Sequence, residues 1–174
     1  MEFFQQSAGK WFAQRTSHYV ADNQSESGQS NILAELLPPN APTIIALCQR
    51  HKIDPETVPG GLRITLERAK PSDKILALGA TVLVPIADPE QPNRGKVLRQ
   101  SDKSEHPLTT SHYTLDSDDV LTLTTNNDAM QSEERLWFAS ENLRMRTSIL
   151  KQNNEFAVTS FFSEIRIGKA KPAA

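Results

Sequence analysis

Hydrophobic and polar residues alternate along most of this chain. Short runs of apolar and β-branched residues with a period of two predict β-strands. The pattern predicts up to ten strands, near KWFAQRTSHYV, SNILAELL, LRITLER, ATVLVPI, GKVLRQ, LTTSHYTL, DVLTLTT, ERLWFAS, LRMRTSIL and EFAVTSFFSEIRIG. The segments between them are rich in turn-forming residues, and the last several are only a few residues long. Short connections favour neighbouring antiparallel strands in a meander.

One segment departs from the period of two. In NAPTIIALCQRHKI, from Asn40 to Ile53, the apolar residues recur at helical spacing, which predicts an α-helix. Asn40 is expected to cap this helix, and Pro42 suits its first turn, where a missing N–H costs nothing. The spacing places Cys48 beside Ile44, so we expect Cys48 to be a small core residue and not a nucleophile.

A meander of ten strands leaves two unpaired edges, and closure into a barrel removes both. A second, very short helix is expected from Glu2 to Ser7, with its two phenylalanines plugging one end of the sheet. Trp11 follows directly, and Arg166 on the last strand can stack on its ring where the first and last strands meet. The sequence therefore predicts an all-β fold: a lipocalin-like (calycin) antiparallel β-barrel of about ten strands, with one α-helix and a short N-terminal helix, forming a single domain over residues 1–174.

Composition narrows the classes of function. Acidic and basic residues nearly balance, at 21 and 19, and no run of lysines or arginines occurs, so nucleic acid is not an expected partner. The longest apolar stretch, from Ile75 to Ala87, is too short to span a bilayer. No signal peptide is apparent, and the single cysteine agrees with a reducing compartment, so we expect a soluble, intracellular protein. The histidines lie apart along the chain, and no metal site or required cofactor is expected.

The segment ERLWFASENLRMRTS raises the question of what its charges do. On a strand, Arg144, Arg146 and Ser148 share one face, while the apolar residues from Leu143 to Ile149 share the other. Two interpretations remain open: a solvated face of an ordinary sheet, or a cationic lining inside a barrel. In the second case the apolar residues face outward, where the predicted helix or a partner could cover them.

Four blocks of the chain carry a family resemblance: SAGKWFAQRTSHY, TVLVPI, SEERLWFASENLRMRTSILK and SFFSEIR. In this order they resemble the S-type phycobiliprotein lyases, the bilin chromophore lyases of cyanobacteria and some algal plastids. The resemblance implies a barrel that binds an open-chain tetrapyrrole, phycocyanobilin or a relative, and attaches it by a thioether to a cysteine of a phycobiliprotein subunit. The implied acceptor is phycocyanin or allophycocyanin, β-subunit first, in the cyanobacterial cytosol. A homodimer, or a heterodimer with a related lyase subunit, is also implied.

An open-chain bilin carries two propionates, an apolar conjugated body and pyrrole N–H groups, and these define the candidate residues. The residues expected to bind the bilin are Arg15, His18, Phe138, Arg144, Arg146 and Ser148. The arginines suit the propionates, because guanidinium groups match carboxylates. Family position and the chemistry of protonating the bilin suggest Glu134 and Glu164 as catalytic residues. A lone histidine in a strand is more often a hydrogen-bonded residue of the barrel wall, which is the alternative for His18, and Glu134 can also be part of a solvated hairpin end. Trp11 and Arg166 are expected to be structural.

One departure from the family pattern keeps other functions open. The hairpin segment LRITLERAKPSDKILALGA contains no aromatic residue, where the family pattern has a tryptophan that can stack on the bilin. A noncatalytic partner subunit of a heteromeric lyase is therefore one alternative. A carrier of lipophilic anions is another, because inward arginines would also suit a fatty acid.

Overall fold

The computed structural model describes residues 2–69, 75–102, 108–126 and 130–168. Within these ranges the chain forms ten β-strands and two α-helices, α1 (Glu2–Ser7) and α2 (Pro42–Arg50), with a 3₁₀ turn at Pro55–Thr57. The strands are β1 (Gly9–Tyr19), β2 (Gln24–Leu37), β3 (Gly61–Ala69), β4 (Ile75–Ala87), β5 (Arg94–Ser101), β6 (Leu108–Leu115), β7 (Leu121–Asn126), β8 (Met130–Ser140), β9 (Leu143–Gln152) and β10 (Glu155–Gly168).

Each strand pairs antiparallel with the next, and β1 pairs with both β2 and β10, so the sheet closes on itself. This confirms the prediction of a ten-stranded antiparallel barrel with a meander order. Closure pairs the first and last strands, which would otherwise expose unpaired N–H and C=O groups. The helix α1 also has the bounds that the sequence predicts. The turn of the predicted aromatic-free hairpin, residues 70–74, lies outside the described residues.

Alternation along the strands decides which side chains enter the barrel. In β1 the side chains of Trp11, Ala13 and Ser17 are buried, whereas those of Lys10 and Gln14 are exposed. Odd-numbered residues of β1 therefore face inward and even-numbered residues face outward. The same rule, carried through the register of neighbouring strands, places the even-numbered residues of β8, β9 and β10 inside.

One end of the barrel is sealed by aromatic side chains. Phe3 and Phe4 on α1 are both buried. The ring of Phe3 lies 5.1 Å from that of Phe138, and the ring of Phe4 lies 6.4 Å from that of Tyr113. The chain passes from α1 into β1 through Gly9, whose φ of 138° is readily adopted only by glycine. The plug that the sequence predicts for α1 is thus present.

Arg166 joins this seal to the seam between the first and last strands. Its guanidinium lies 4.1 Å from the centre of the Trp11 ring, and it donates hydrogen bonds to the backbone carbonyls of Ala8 at 2.6 Å and Gln6 at 2.8 Å. The indole Nε1 of Trp11 donates to the carbonyl of Ser7 at 2.9 Å. These donors satisfy carbonyls at the end of α1 that have no partner within the helix. The stacking that the sequence predicts between Trp11 and Arg166 is therefore part of a wider cap.

The second helix, α2, lies outside the barrel, over β4 and β5. Its buried residues pack against outward side chains of these strands in one cluster: Ile44, Leu47, Cys48, Val58, Val82, Val84 and Leu98. Cys48 is fully buried there, as a small core residue. Because α2 covers these strands, it does not cover the outward apolar residues of β9.

The predicted N-terminal cap of α2 is wrong. The residue preceding its first turn is Ala41, and no side chain caps the helix. The N–H of Ala41 donates to the carbonyl of Pro38 at 2.9 Å, so Asn40 lies within a turn before the helix and is not its cap. Pro42 does occupy the first turn, where its ring suits the helical φ.

Candidate functional site

The candidate site lies on the inner wall formed by β8, β9, β10 and β1. The strand register aligns inward residues in rows that cross these four strands, and we number the rows from the sealed end. The first row is Phe138, Arg144, Glu164 and Ala13; the second is Leu136, Arg146, Phe162 and Arg15; the third is Glu134, Ser148, Ser160 and Ser17. Arg144, Arg146 and Ser148 therefore share the inner face, which is the cationic lining and not the solvated face.

The first row contains a buried ion pair. Nε of Arg144 donates to Oε2 of Glu164 at 2.5 Å, and these residues are only 5 and 0% exposed. The Arg144 guanidinium also lies 4.7 Å from the centre of the Trp11 ring. Burial lowers the pKa of Arg144, while the adjacent Glu164 carboxylate acts in the opposite direction. Removing Glu164 would leave Arg144 buried without its ion-pair partner, and removing Arg144 would leave Glu164 with only a longer contact to Arg146.

The second row places Arg146 between two carboxylates. Its Nη1 donates to Oε1 of Glu134 at 3.1 Å, and its Nη2 lies 3.4 Å from Oε1 of Glu164. The ring of Phe162 lies 3.6 Å from the guanidinium carbon. Nε of Arg146 is buried and has no hydrogen-bond partner among the described residues. A buried donor without a partner is unusual in a folded protein.

A third arginine reaches the site from the opposite wall. Nη1 of Arg99, on β5, lies 3.8 Å from Oε2 of Glu134. The order Arg144, Glu164, Arg146, Glu134, Arg99 thus forms a continuous chain of alternating charge. Three guanidinium groups face two carboxylates, so this chain carries one excess positive charge.

All five members of this charged chain line one interior cavity of about 160 Å³. Its remaining lining comes from the sealed end and from apolar residues of several strands: Phe3, Phe4, Ser7, Ile32, Leu62, Ile64, Leu66, Thr81, Leu83, Leu121, Leu123 and Leu136. The cavity is therefore lined mainly by apolar side chains, and its charged side chains come from β5, β8, β9 and β10. Its volume is below the range of about 300–1,000 Å³ that encloses typical small ligands.

Two other predicted residues lie on the inner face. Arg15 forms an ion pair with Glu26 at 3.2 Å, and the hydroxyl of Tyr19 donates to the other oxygen of Glu26 at 3.1 Å. The Arg15 side chain is 39% exposed, so this pair is far more accessible to solvent than Arg144 and Glu164. Ser148 stands beside Glu134 and Ser160 in the third row.

His18 and Phe138 have surroundings that the sequence did not reveal. His18 is an even-numbered residue of β1 and lies on the outer face, where its Nδ1 is 3.1 Å from the hydroxyl of Ser25. A ligand inside the barrel would not reach it directly. Phe138 does face inward, but its ring packs 5.1 Å from Phe3 and 6.1 Å from Trp11, which places it in the sealed end.

Sequence reasoning missed two residues of the site, Arg99 and Phe162. Both could have been found by extending the alternation. In GKVLRQ, Arg99 shares a face with Val97, which is fully buried inside the barrel. In SFFSEIR, the alternation that turns Glu164 inward also turns Phe162 inward. Phe162 provides an aromatic face beside Arg146 from a strand other than the aromatic-free hairpin.

In the part of the chain that the structure describes, no group of three or more His, Cys, Asp or Glu side chains is arranged to hold a metal ion. Among these residues, too, no helix is both long and apolar enough to cross a membrane.

Known proteins are similar to this chain over nearly its whole length. Residues 1–167 match the family model described as CpeS-like protein. The chain is 46% identical over 172 residues to a chromophore lyase CpcS/CpeS of Thermosynechococcus vestitus, covering 99% of this chain and 94% of the relative. It is 40% identical over 168 residues to the phycocyanobilin lyase subunit CpcS of a Picosynechococcus strain, covering 95 and 85% of the two chains.

A solved structure extends this similarity to three dimensions. The S-type phycobiliprotein lyase CPES from Guillardia theta superposes with a TM-score of 0.79 at 30% identity, covering 98% of this chain and 93% of that chain. Its match to nearly the whole described barrel confirms the predicted fold. The family model and these relatives confirm the resemblance seen in the sequence blocks, and this chain belongs to the CpeS-like protein family.

Proposed function

We propose that this protein holds an open-chain tetrapyrrole noncovalently in its barrel and promotes thioether attachment of the pigment to a cysteine of a phycobiliprotein subunit. The coarser activity, a lyase for bilin attachment, follows from family membership and from relatives named chromophore lyase and phycocyanobilin lyase subunit. Phycocyanobilin or a close relative is the proposed substrate, and no separate cofactor is required.

The observation that carries this proposal is the excess positive charge of the interior. Three arginines and two glutamates form the charged chain, and a buried N–H of Arg146 has no partner among the described residues. An uncompensated charge inside a protein is unfavourable unless an anion neutralises it. A propionate of a bilin would supply the negative charge. Guanidinium groups suit this role because they bind carboxylates with two donors.

The size of the cavity bears on where the pigment lies. At about 160 Å³ the cavity is too small to enclose a whole tetrapyrrole, so the bilin would fill the apolar interior in part and extend into the barrel mouth. The sealed end, with Trp11 and Arg166, blocks exit on the other side. An end of the bilin held at the mouth would remain accessible to the thiol of an acceptor protein, which favours transfer over storage.

The chemistry adds a thiol across a carbon–carbon double bond. The sulfur of the acceptor bonds to the exocyclic ethylidene carbon of the first bilin ring, and the S–H proton goes to the adjacent ring carbon, so no oxidant or reductant is needed. A carboxylate that accepts from the pyrrole N–H groups would favour the protonated, more electrophilic bilin. The Glu134 side chain is 19% exposed and that of Glu164 only 1%, so Glu134 is the more accessible candidate and Glu164 supports the arginines.

Catalysis on this proposal consists of binding, protonation and positioning. Cys48 takes no part, because it lies on the buried face of α2, outside the barrel. The proposed partners are a bilin and a phycobiliprotein subunit, phycocyanin or allophycocyanin, with the β-subunit as the first choice. The proposed location is the cytoplasm of a cyanobacterium, where such acceptors are made.

A second function is favoured by a specific observation. The segment from Leu62 to Ala80 contains no aromatic residue, and one relative is named a lyase subunit, so the chain could act as one member of a two-subunit lyase. Phe162 on the opposite wall offers an alternative stacking surface, which is why we favour the self-sufficient lyase. A carrier of other lipophilic anions remains the third possibility.

The test is to mix the purified protein with phycocyanobilin and an apo-phycobiliprotein β-subunit. We expect bilin absorbance on the acceptor that survives denaturation, formed faster and with fewer side products than without the protein. Bilin bound but never transferred would favour the partner-subunit function. Absence of bilin binding would favour the carrier.

Two matched variants test whether the carboxylate of Glu134 takes part in the transfer. Glu134→Gln should slow transfer more than it weakens binding if the carboxylate assists protonation. Glu133→Gln is the control, because Glu133 is the adjacent acidic residue on β8 but is exposed on the outer face. Equal losses of transfer and binding in Glu134→Gln would reduce Glu134 to a binding residue.

A further inference from the structure

The charged chain has two different ends. At one end, Arg144 is 5% exposed and its Nε is hydrogen-bonded to Glu164. At the other end, the side chain of Arg99 is 32% exposed. An arginine enclosed in an ion pair has little capacity for a further anion, whereas an accessible arginine at a cavity wall can bind one.

The contact between Arg99 and Glu134 is loose. Their closest atoms are 3.8 Å apart, which is beyond hydrogen-bond distance, and Glu134 is the only ionic partner of Arg99 among the described residues. The other oxygen of Glu134 is hydrogen-bonded to Arg146 at 3.1 Å. Arg99 is therefore held near the site by charge without being committed to a hydrogen bond with Glu134.

Arg99 also comes from a different wall. It stands on β5, whereas Arg146 stands on β9, and three strands separate β5 from β9 around the barrel. Both guanidinium groups lie beside the same carboxylate, Glu134, and both line the cavity. A carboxylate entering next to Glu134 would thus meet donors from two sides.

We propose that Arg99 and Arg146 together form a carboxylate-binding subsite, with Arg99 as the residue that gives the protein its preference for the free propionic acid form of a bilin. This inference rests on the proposed function. The subsite uses the one positive charge that the two glutamates do not balance. It assigns Arg144, by contrast, to holding Glu164 and the Trp11 ring in place.

The experiment compares phycocyanobilin with its dimethyl ester, in which both propionates are neutral. The full-length protein is titrated with each, and binding is followed by visible absorbance. We expect the wild-type protein to prefer the free acid. Arg99→Gln should weaken binding of the acid about tenfold to a hundredfold, as expected when a hydrogen bond to a charged group is lost, and should leave the ester unchanged. Arg99→Lys should fall between, because it keeps the charge but not the planar fork.

Arg94→Gln is the matched control. Arg94 is on the same strand, is exposed, and pairs with Asp88 at 3.7 Å on the outside of the barrel. It should bind both ligands as the wild type does. Equal weakening of acid and ester in Arg99→Gln, or no change in either, would overturn the inference.

A second variant keeps the inference testable if Arg99→Gln does not fold. Glu134→Gln removes the carboxylate that competes for Arg99 and Arg146, so it should tighten binding of the acid relative to the ester. Weaker relative binding of the acid would contradict the subsite. A wild-type protein that binds neither ligand would overturn the proposed function together with this inference. A wild type that binds both equally would overturn this inference alone.

Discussion

Arg144 and Arg146 are two residues apart on the inner face of β9, yet their surroundings differ. The side chain of Arg144 is 6% exposed and lies between Glu164 and the Trp11 ring. The side chain of Arg146 is 20% exposed, lies against Phe162, and carries a buried N–H without a partner among the described residues. Both side chains line the cavity, but Arg144 is enclosed against the sealed end, one row of side chains away from Arg146.

The comparison shows that residue type and face do not fix the role of an inward arginine. At the sealed end, the neighbours of Arg144 provide a carboxylate and an aromatic ring, so its charge is satisfied within the protein. At the cavity, Arg146 shares its two carboxylates with two other arginines, so positive charge remains for a ligand. The first arrangement favours a role in structure, and the second a role in binding.

The largest effect is expected from Arg144→Met. Removing this cation leaves Glu164 buried with only the longer contact to Arg146, so we expect the free energy of unfolding to fall by about 3 to 5 kcal/mol. Denaturant unfolding followed by tryptophan fluorescence measures this change. The control is Arg15→Met, which breaks the accessible pair with Glu26 and should lose no more than about 1 kcal/mol. Equal, small losses in both variants would show that the buried ion pair of Arg144 stabilises the barrel no more than the accessible ion pair of Arg15.

Arg166→Met tests the other cation of the sealed end. Arg166 contacts backbone carbonyls and the Trp11 ring, with no carboxylate in those contacts, so its loss removes hydrogen bonds and stacking without leaving an unpaired anion. We expect a smaller loss of about 2 kcal/mol in unfolding free energy. Hydrogen exchange of the α1 amides should also become faster. Unchanged exchange would show that the phenylalanine plug holds α1 by itself.

Arg146→Gln should separate binding from stability. We expect the affinity for phycocyanobilin to fall at least about tenfold, equivalent to about 1.4 kcal/mol, with a smaller loss of stability than in Arg144→Met. Titration by absorbance and denaturant unfolding give the two quantities on the same samples. Arg135→Gln, an exposed arginine on the outer face of β8, is the control. Undiminished bilin affinity in Arg146→Gln would remove the propionate assignment.

The smallest effect is expected at Cys48, which is buried away from both ends. Burial raises the pKa of the Cys48 thiol, and nearby Asp54 raises it further. At a given pH the thiolate fraction is therefore smaller than for a free cysteine, and alkylation should be slow near pH 8 and accelerate only at higher pH. The denatured protein is the control for this rate. Cys48→Ala should transfer bilin as well as the wild type; a folded variant that lost transfer would point to a covalent intermediate.

Much of the fold was predictable because alternation is a local property. The ten strands, their meander order, the helix α1 and the buried position of Cys48 all follow from residue spacing and short connections. The start of α2 was not predictable in this way. The turn that ends at Ala41 depends on a backbone hydrogen bond to Pro38, and the side chain of Asn40 gives no sign of that bond.

The site was predictable only in part. Alternation placed Arg144, Arg146 and Ser148 on one face, and the family resemblance drew attention to Glu134 and Glu164. The sequence did not reveal that His18 faces outward. That orientation depends on which face of β1 turns Trp11 into the barrel. Nor did the sequence connect Arg99 to Glu134, because the two residues lie on opposite walls.

The strands, their order and the two faces of each follow from the amino-acid pattern, since these depend on the period of two and on loop length. Which face of each strand became the interior, and which charges met there, depended on closure of the barrel. Closure of β1 onto β10 brought Trp11 to Arg166 and aligned Ala13 with Glu164. The curvature of the barrel then brought Arg99 across to Glu134. Those contacts join residues distant in the chain, and they leave Arg144 enclosed in an ion pair and Arg146 more accessible.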